Sequence, residues 1–220
     1  MCPVSSKIDI ATSCYKGCST YYKILTKKAT LSNSNHVRET KWHQELNLQF
    51  SINFWDKSRK LCASIDFDNQ LKWLQYQIIR NSLQTNYVVS HFIANGSPIC
   101  SYCKIPTSFE KISHLFWLCP RVNDFLLEMF AYVCSTGLDY TPTRDQFIFG
   151  YHDKNFYQPQ NLISLIIKKY IWSIKFKNTI LTMAGLKSLI KTYVSDLKFI
   201  FVLKNMPERY DEWNTILNNL

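Results

Sequence analysis

Cys100-Ser-Tyr-Cys103, then ten residues, then His114-Leu-Phe-Trp-Leu-Cys119-Pro120: this stretch decides how the whole 220-residue chain is read. Two cysteines separated by two residues can bind one ion from a tight turn, whose backbone N–H groups face the sulfurs. A second pair, His plus Cys, completes the tetrahedral set that a structural zinc site needs. Thr107 and Glu110 have the Thr-x-x-Glu spacing of a capping box, which would open a helix carrying His114. Positions five apart on an α-helix point about 140° away from each other. The helix is therefore expected to unwind before Cys119, and Pro120 helps because it disfavours the helical conformation in the residue before it. Cys100, Cys103, His114 and Cys119 leave no ligand position for water, so the zinc expected here is structural.

Helices are expected on both sides of this knuckle. Asp68 is a natural N-cap, and Leu71, Leu74 and Ile78 mark one helical face, widened by Trp73 and Tyr76. Thr85 can cap a second short helix through Val88, Val89 and Phe92. Asn95-Gly96-Ser97-Pro98 breaks the chain before the cysteines. A further helix covers Val122 to Cys134, and Gly137 to Pro142 is turn-like. Leu162 to Asn205 reads as one long basic helix, or two broken near Gly185. Upstream, Ser32 to Asn35 reads as a linker. Leu46 to Ile52 alternates apolar and polar, a strand period set among helical neighbours. The expected fold is mainly α, with helical segments around a small Cys-Cys-His-Cys zinc knuckle and little or no sheet. The expected parts are a basic arm and connector (1–60), a helical zinc-binding domain (61–135), and a loop with basic C-terminal helices (136–220).

Composition agrees with a folded chain: 46% hydrophobic residues, 15% aromatic, and only 5 Gly and 7 Pro. The net charge of +10 is unevenly spread. Residues 161–205 hold eight Lys and one Asp, and residues 1–60 hold ten Lys/Arg and four Asp/Glu, around a near-neutral centre. Clustered positive charge favours polyanions, because each neutralised phosphate releases condensed counterions. Lys168, Lys169, Lys175, Lys177, Lys187 and Lys191 are the candidate phosphate contacts. Lys168, Lys175, Lys191 and Lys198 recur near multiples of 3.5 residues, as a basic stripe would. Tyr102 is a candidate to stack on unpaired bases, or else to pack over the metal site. The early residues do not read as a secretory signal, and Lys168 and Lys169 interrupt the longest apolar run. An intracellular chain, in cytoplasm or nucleus and with no membrane partner, is expected.

The remaining cysteines are weaker signals. Cys14 and Cys18, with His36 and His43 downstream, have loose metal-ligand spacing. Cys2, Cys62 and Cys134 read as terminal or core thiols. No Asp-Asp pair, no acidic nuclease cluster and no Gly-rich phosphate loop occurs. Asp66 and Asp68 are better explained by helix capping. The chain by itself is not expected to be an enzyme.

The run Leu71-Lys-Trp-Leu-Gln-Tyr-Gln-Ile-Ile-Arg80-Asn, then Thr85-Asn, then Cys100/Cys103 and Glu110-Lys-Ile-Ser-His114-Leu-Phe-Trp-Leu-Cys119-Pro120, resembles the zinc-binding region that follows the polymerase domain in LINE-type (non-LTR) retrotransposon reverse transcriptases. Lys16 to Thr26, Trp42 to Leu46 and Lys168 to Trp213 resemble flanking parts of the same family more loosely. The likeness spans most of the chain and is strongest over 71–120. It implies a role and not an activity. Such enzymes copy their RNA into DNA at a nicked target, and this region is thought to help hold RNA or target DNA beside the upstream polymerase domain. Two other readings stay open: a zinc-stabilised helical scaffold bracing that polymerase, and a non-functional retroelement relic.

Overall fold

The computed structural model describes residues 34–65 (34–37 by backbone alone), 68–154, 158–177, 179–203, 205 and 213. The chain divides into two compact units, Met1–Leu48 and Gln49–Leu220. In the first, helix α1 (Ser34–Leu46) buries Trp42 and Leu46, one turn apart. It begins inside the Ser/Asn run expected as a linker. Asn47, at φ 53°, ends it in the left-handed conformation that closes many helices. The alternating segment 46–52 forms no strand, since Leu46 closes α1 and Ile52 opens the next helix.

The second unit is mainly helical. Helices α2 (Ile52–Ala63), α3 (Asn69–Ile79) and the short α4 (Asn86–Val89) precede the knuckle. After it come a π-helical turn (His114–Leu118), α5 (Pro120–Ser135), α6 (Arg144–Phe149), α7 (Pro159–Lys175) and α8 (Met183–Leu203). The strand content among the described residues is one isolated antiparallel bridge, Ile99 to Phe109. The expected parts 61–135 and 136–220 share this one unit, because α3 packs on both α6 and α7.

Local chemistry sets the helix ends. The Asp68 carboxylate accepts from Gln70 N at 2.6 Å and Leu71 N at 3.1 Å, as its N-cap role requires. Thr143 and Gln146 form a reciprocal capping box on α6. Pro120 and Pro159 occupy the first turns of α5 and α7, where no intrahelical N–H is lost. Gly150 ends α6 at φ 99°, and a Cβ there would lie 2.2 Å from Leu61 Cδ2. Only glycine fits both demands.

Helix α7 is the axis of the unit. Thirteen of its seventeen residues are buried, and it packs against α3, α6 and α8. A helix apolar around most of its circumference belongs inside a protein, and Leu162 to Ile174, interrupted mainly by Lys168 and Lys169, is such a sequence. α7 ends at Lys175 and α8 starts at Met183, so the break falls before Gly185. Thr182 Oγ1 accepts from Gly185 N at 3.2 Å and so caps α8. Gly185 lies in the first turn of α8 because a Cβ there would meet the Tyr170 hydroxyl at 2.4 Å. No helix among the described residues is long and apolar enough to cross a membrane.

Candidate metal centre

The knuckle begins as a minimal hairpin. Cys100 N donates to Ser108 O at 3.0 Å, and Glu110 N donates to Pro98 O at 2.8 Å. Between them the backbone turns tightly after Cys103: Lys104 N donates to Cys100 O at 3.0 Å, with Lys104 at φ 54°. This turn sets both thiols on the same side.

The second ligand pair arrives by a widened helix. Cys119 N donates to His114 O at 2.8 Å, a five-residue span that defines a π-turn. The expected unwinding is thus replaced by widening. Adding about one residue to the turn brings positions five apart onto the same side, where an α-helix would separate them. Cys119 itself is extended (φ −67°, ψ 121°), in keeping with the proline that follows. The hydrophobic residues of the turn anchor it. Leu115 and Phe116 are fully buried, and Trp117 meets Phe147 and Phe130 at ring separations of 5.7 and 6.1 Å.

Together these elements bring Cys100, Cys103, His114 and Cys119 to one point. Their ligand atoms all lie within 4.8 Å of one another, and this set could hold a metal ion. Cys100 Sγ and Cys119 Sγ are 3.7 Å apart, and Cys103 Sγ and His114 Nε2 are 3.5 Å apart. A four-coordinate ion with bonds of about 2.3 Å to sulfur and about 2.0–2.1 Å to nitrogen requires S–S edges of about 3.8 Å and S–N edges of about 3.6 Å. The residues fit such an ion. Cys100 and Cys119 are buried, and the other two are half-buried. The Cys119 thiol is held below its ordinary pKa, first by the hydrogen bond with Cys100 and further by the amides of Arg121 and Val122 at the start of α5. Cys100 is pushed up to about 12 by its hydrogen bond with Cys119 and by burial.

Glu110 corrects the capping-box expectation. Thr107 is exposed in a turn, and Glu110 caps no helix bearing His114. Its carboxylate is fully buried and accepts from Ser101 N at 2.9 Å, from the Ser101 hydroxyl, and from Asn86 N at 2.9 Å. It also pairs with Lys175 Nζ at 2.5 Å, both side chains being 6% exposed or less. Lys175 lies over the rings of Trp172 and Phe176 as well. One carboxylate therefore ties the Cys100 turn to the end of α7. Its internal role was missed because its spacing from Thr107 satisfied a simpler motif.

The expected basic stripe does not form. Lys168 is 2% exposed, and its ammonium donates to Gln75 Oε1 at 2.6 Å and Ile148 O at 3.0 Å. With Lys175 paired to Glu110, two of the stripe's members face inward. Lys191 and Lys198 belong to α8, a helix separate from the one that carries Lys168 and Lys175, so the register does not carry from one pair to the other. Lys169 Nζ donates to Gln70 Oε1 at 2.8 Å near the surface. Lys177 and Lys191 are exposed, and Lys187 sits over the Tyr132 ring at 3.6 Å. Tyr102 is half-buried, and its hydroxyl donates to Ile171 O. Burial raises its pKa, and the hydroxyl ties the knuckle to α7.

Other expectations divide. Cys62 is a buried thiol, whereas Cys134 is exposed, with its thiol toward Tyr140 O at 3.4 Å. His152, for which the sequence offers no partner, shares a hydrogen bond of 2.9 Å with Ser58. Thr85 precedes α4 but makes no side-chain cap; its hydroxyl is buried without a hydrogen-bond partner. Cys2, Cys14, Cys18, Asp66 and the side chain of His36 lie outside the described residues. No protein-family model matches the chain, and no curated protein matches it.

Proposed function

We propose that this chain is the zinc-binding, nucleic-acid-contacting C-terminal module of a LINE-type retrotransposon reverse transcriptase. The observation that carries the reading is the convergence of Cys100, Cys103, His114 and Cys119, the four residues at the centre of the family-like string. Zinc suits the set best among common ions, because three thiolates and one imidazole in a closed tetrahedron are typical of structural zinc. The ion has no catalytic step here. Cys100, Cys103, His114 and Cys119 would hold the ion and so join the hairpin to the π-turn, while Glu110 and Tyr102 link that region to the end of α7. Purified protein should carry one zinc per chain with a sulfur-rich absorption edge. Cys103→Ser should lower that stoichiometry, and equal zinc in both would overturn the assignment.

RNA or target DNA would meet the outward lysines. Replacing Lys177, Lys187 and Lys191 with Gln should weaken binding to single-stranded RNA. It should also flatten the salt dependence by about 0.7 in log–log slope per lost phosphate contact. A specific observation favours a second reading, the polymerase-bracing scaffold: Lys168 and Lys175 are spent on internal contacts. That reading predicts unchanged RNA affinity in the triple variant, and protease protection that increases when the polymerase domain is added.

A further inference from the structure

Helix α3 presents an unexpected outer face. Trp73 and Tyr76 were expected to widen its buried side, yet they are 59% and 38% exposed. Their rings stack on each other, with centroids 5.4 Å apart and planes 18° from parallel. The Arg80 guanidinium lies 4.9 Å above the Tyr76 ring. Gln70, one turn before Trp73, holds the Lys169 ammonium at 2.8 Å. Read along the helix, the face runs cation, Trp73, Tyr76, cation over about 15 Å, at 1.5 Å per residue. No Asp or Glu occurs between Asn69 and Arg80.

Resting on the nucleic-acid reading above, we propose that this face is a stacking site for unpaired bases of single-stranded RNA or DNA. Tyr76 is flanked by Trp73 and Arg80, which leaves Trp73 as the ring with a largely open surface. A base stacking there extends the aromatic column, and its flanking phosphates come within the field of Lys169 and Arg80. Every base has a π-face, so the site selects unpaired strands over duplex with little regard to sequence. Here the outward positions are Gln70, Trp73, Tyr76 and Arg80, aromatic at the centre and basic at the rim, which complements a polyanion carrying flat rings.

The experiment uses the full chain, a fluorescein-labelled 12-mer oligouridylate, the same oligomer with abasic residues, and a duplex of equal length. Trp73→Ala should lower affinity for the oligouridylate about 5- to 150-fold, the range of one lost stacking contact. It should leave the salt slope unchanged, since no phosphate contact is removed. Trp73→Phe should restore most of the affinity. Arg80→Gln should reduce the slope by about 0.7. The abasic oligomer should bind weakly and be insensitive to Trp73→Ala. Trp73 is exposed, so its replacement should leave the circular dichroism spectrum intact. If the wild type shows salt-sensitive binding that is equal for intact and abasic strands, or unchanged in Trp73→Ala, the stacking site is overturned. The nucleic-acid reading then survives, and the face is left to a protein partner. Absence of any salt-sensitive binding overturns both.

Discussion

Lys168 shows what a single buried charge does to this fold. Its amine is enclosed and has two neutral acceptors, and burial pulls its pKa down to about 7 from 10.5. The folded chain therefore releases this proton near pH 7, whereas the unfolded chain keeps it to about 10.5. Between those values the unfolded state binds more protons, so stability rises with pH. The slope from this one group is at most about 1.4 kcal/mol per pH unit. Above pH 9 the neighbouring Cys62 acts in the opposite sense, because burial pushes its thiol up to about 11 and the folded state then holds the extra proton. The clean window is pH 7 to 9. Urea unfolding at pH 7, 8 and 9 should show wild type gaining stability more steeply than Lys168→Met. Parallel pH profiles would show that the amine stays charged inside the fold. Lys168 also looked like a surface residue in sequence. Nothing in a Lys-Lys pair tells which lysine of the two will be enclosed.

At the scale of elements, the knuckle and α7 are joined by the Glu110–Lys175 pair. Removing one partner of a buried ion pair strands the other, at a cost of about 3–5 kcal/mol. Glu110→Gln should therefore lower the thermal midpoint strongly, although an amide can still accept from Ser101 and Asn86. Adding Lys175→Met removes the stranded ammonium while keeping most of the side-chain volume. The double variant should recover a substantial part of the loss. Additive losses in the double-mutant cycle, read by urea unfolding, would mean the two side chains act independently. The π-turn belongs to this scale too. The five-residue step from His114 to Cys119 is plain in sequence, and its conflict with an α-helix is equally plain. Either unwinding or widening resolves it. Burial of Leu115 and Phe116 and the packing of Trp117 hold the segment helical, so the turn widens.

Across the whole molecule, the candidate metal centre and the buried helix α7 lie in one unit, Gln49–Leu220. A fragment of residues 49–220 should keep one metal per chain and a protease-resistant body. Chelation should loosen it, since zinc can supply roughly 10–16 kcal/mol in small finger peptides. Limited proteolysis with and without chelator checks this. A fragment that binds no metal, or a holo and apo pair digested at the same rate, would contradict it.

The sequence by itself determined the helical class, the Asp68 helix start, and the four residues that could hold a metal ion. These follow from local rules: caps act within one turn, and ligand spacing is a property of a short stretch. Tertiary structure alone decided which cations face outward. Helix α7 is apolar on nearly every side, so its neighbours enclose Lys168 and Lys175 and supply Gln75, the Ile148 carbonyl and Glu110 as partners. It also decided that Trp73 and Tyr76 stay outside, since α3 turns Leu71, Leu74 and Ile78 to the core and the side bearing the two rings outward. A sequence states that a side chain is charged or aromatic. Whether water or protein surrounds it depends on residues remote in the chain, 93 positions away for Lys168 and Gln75.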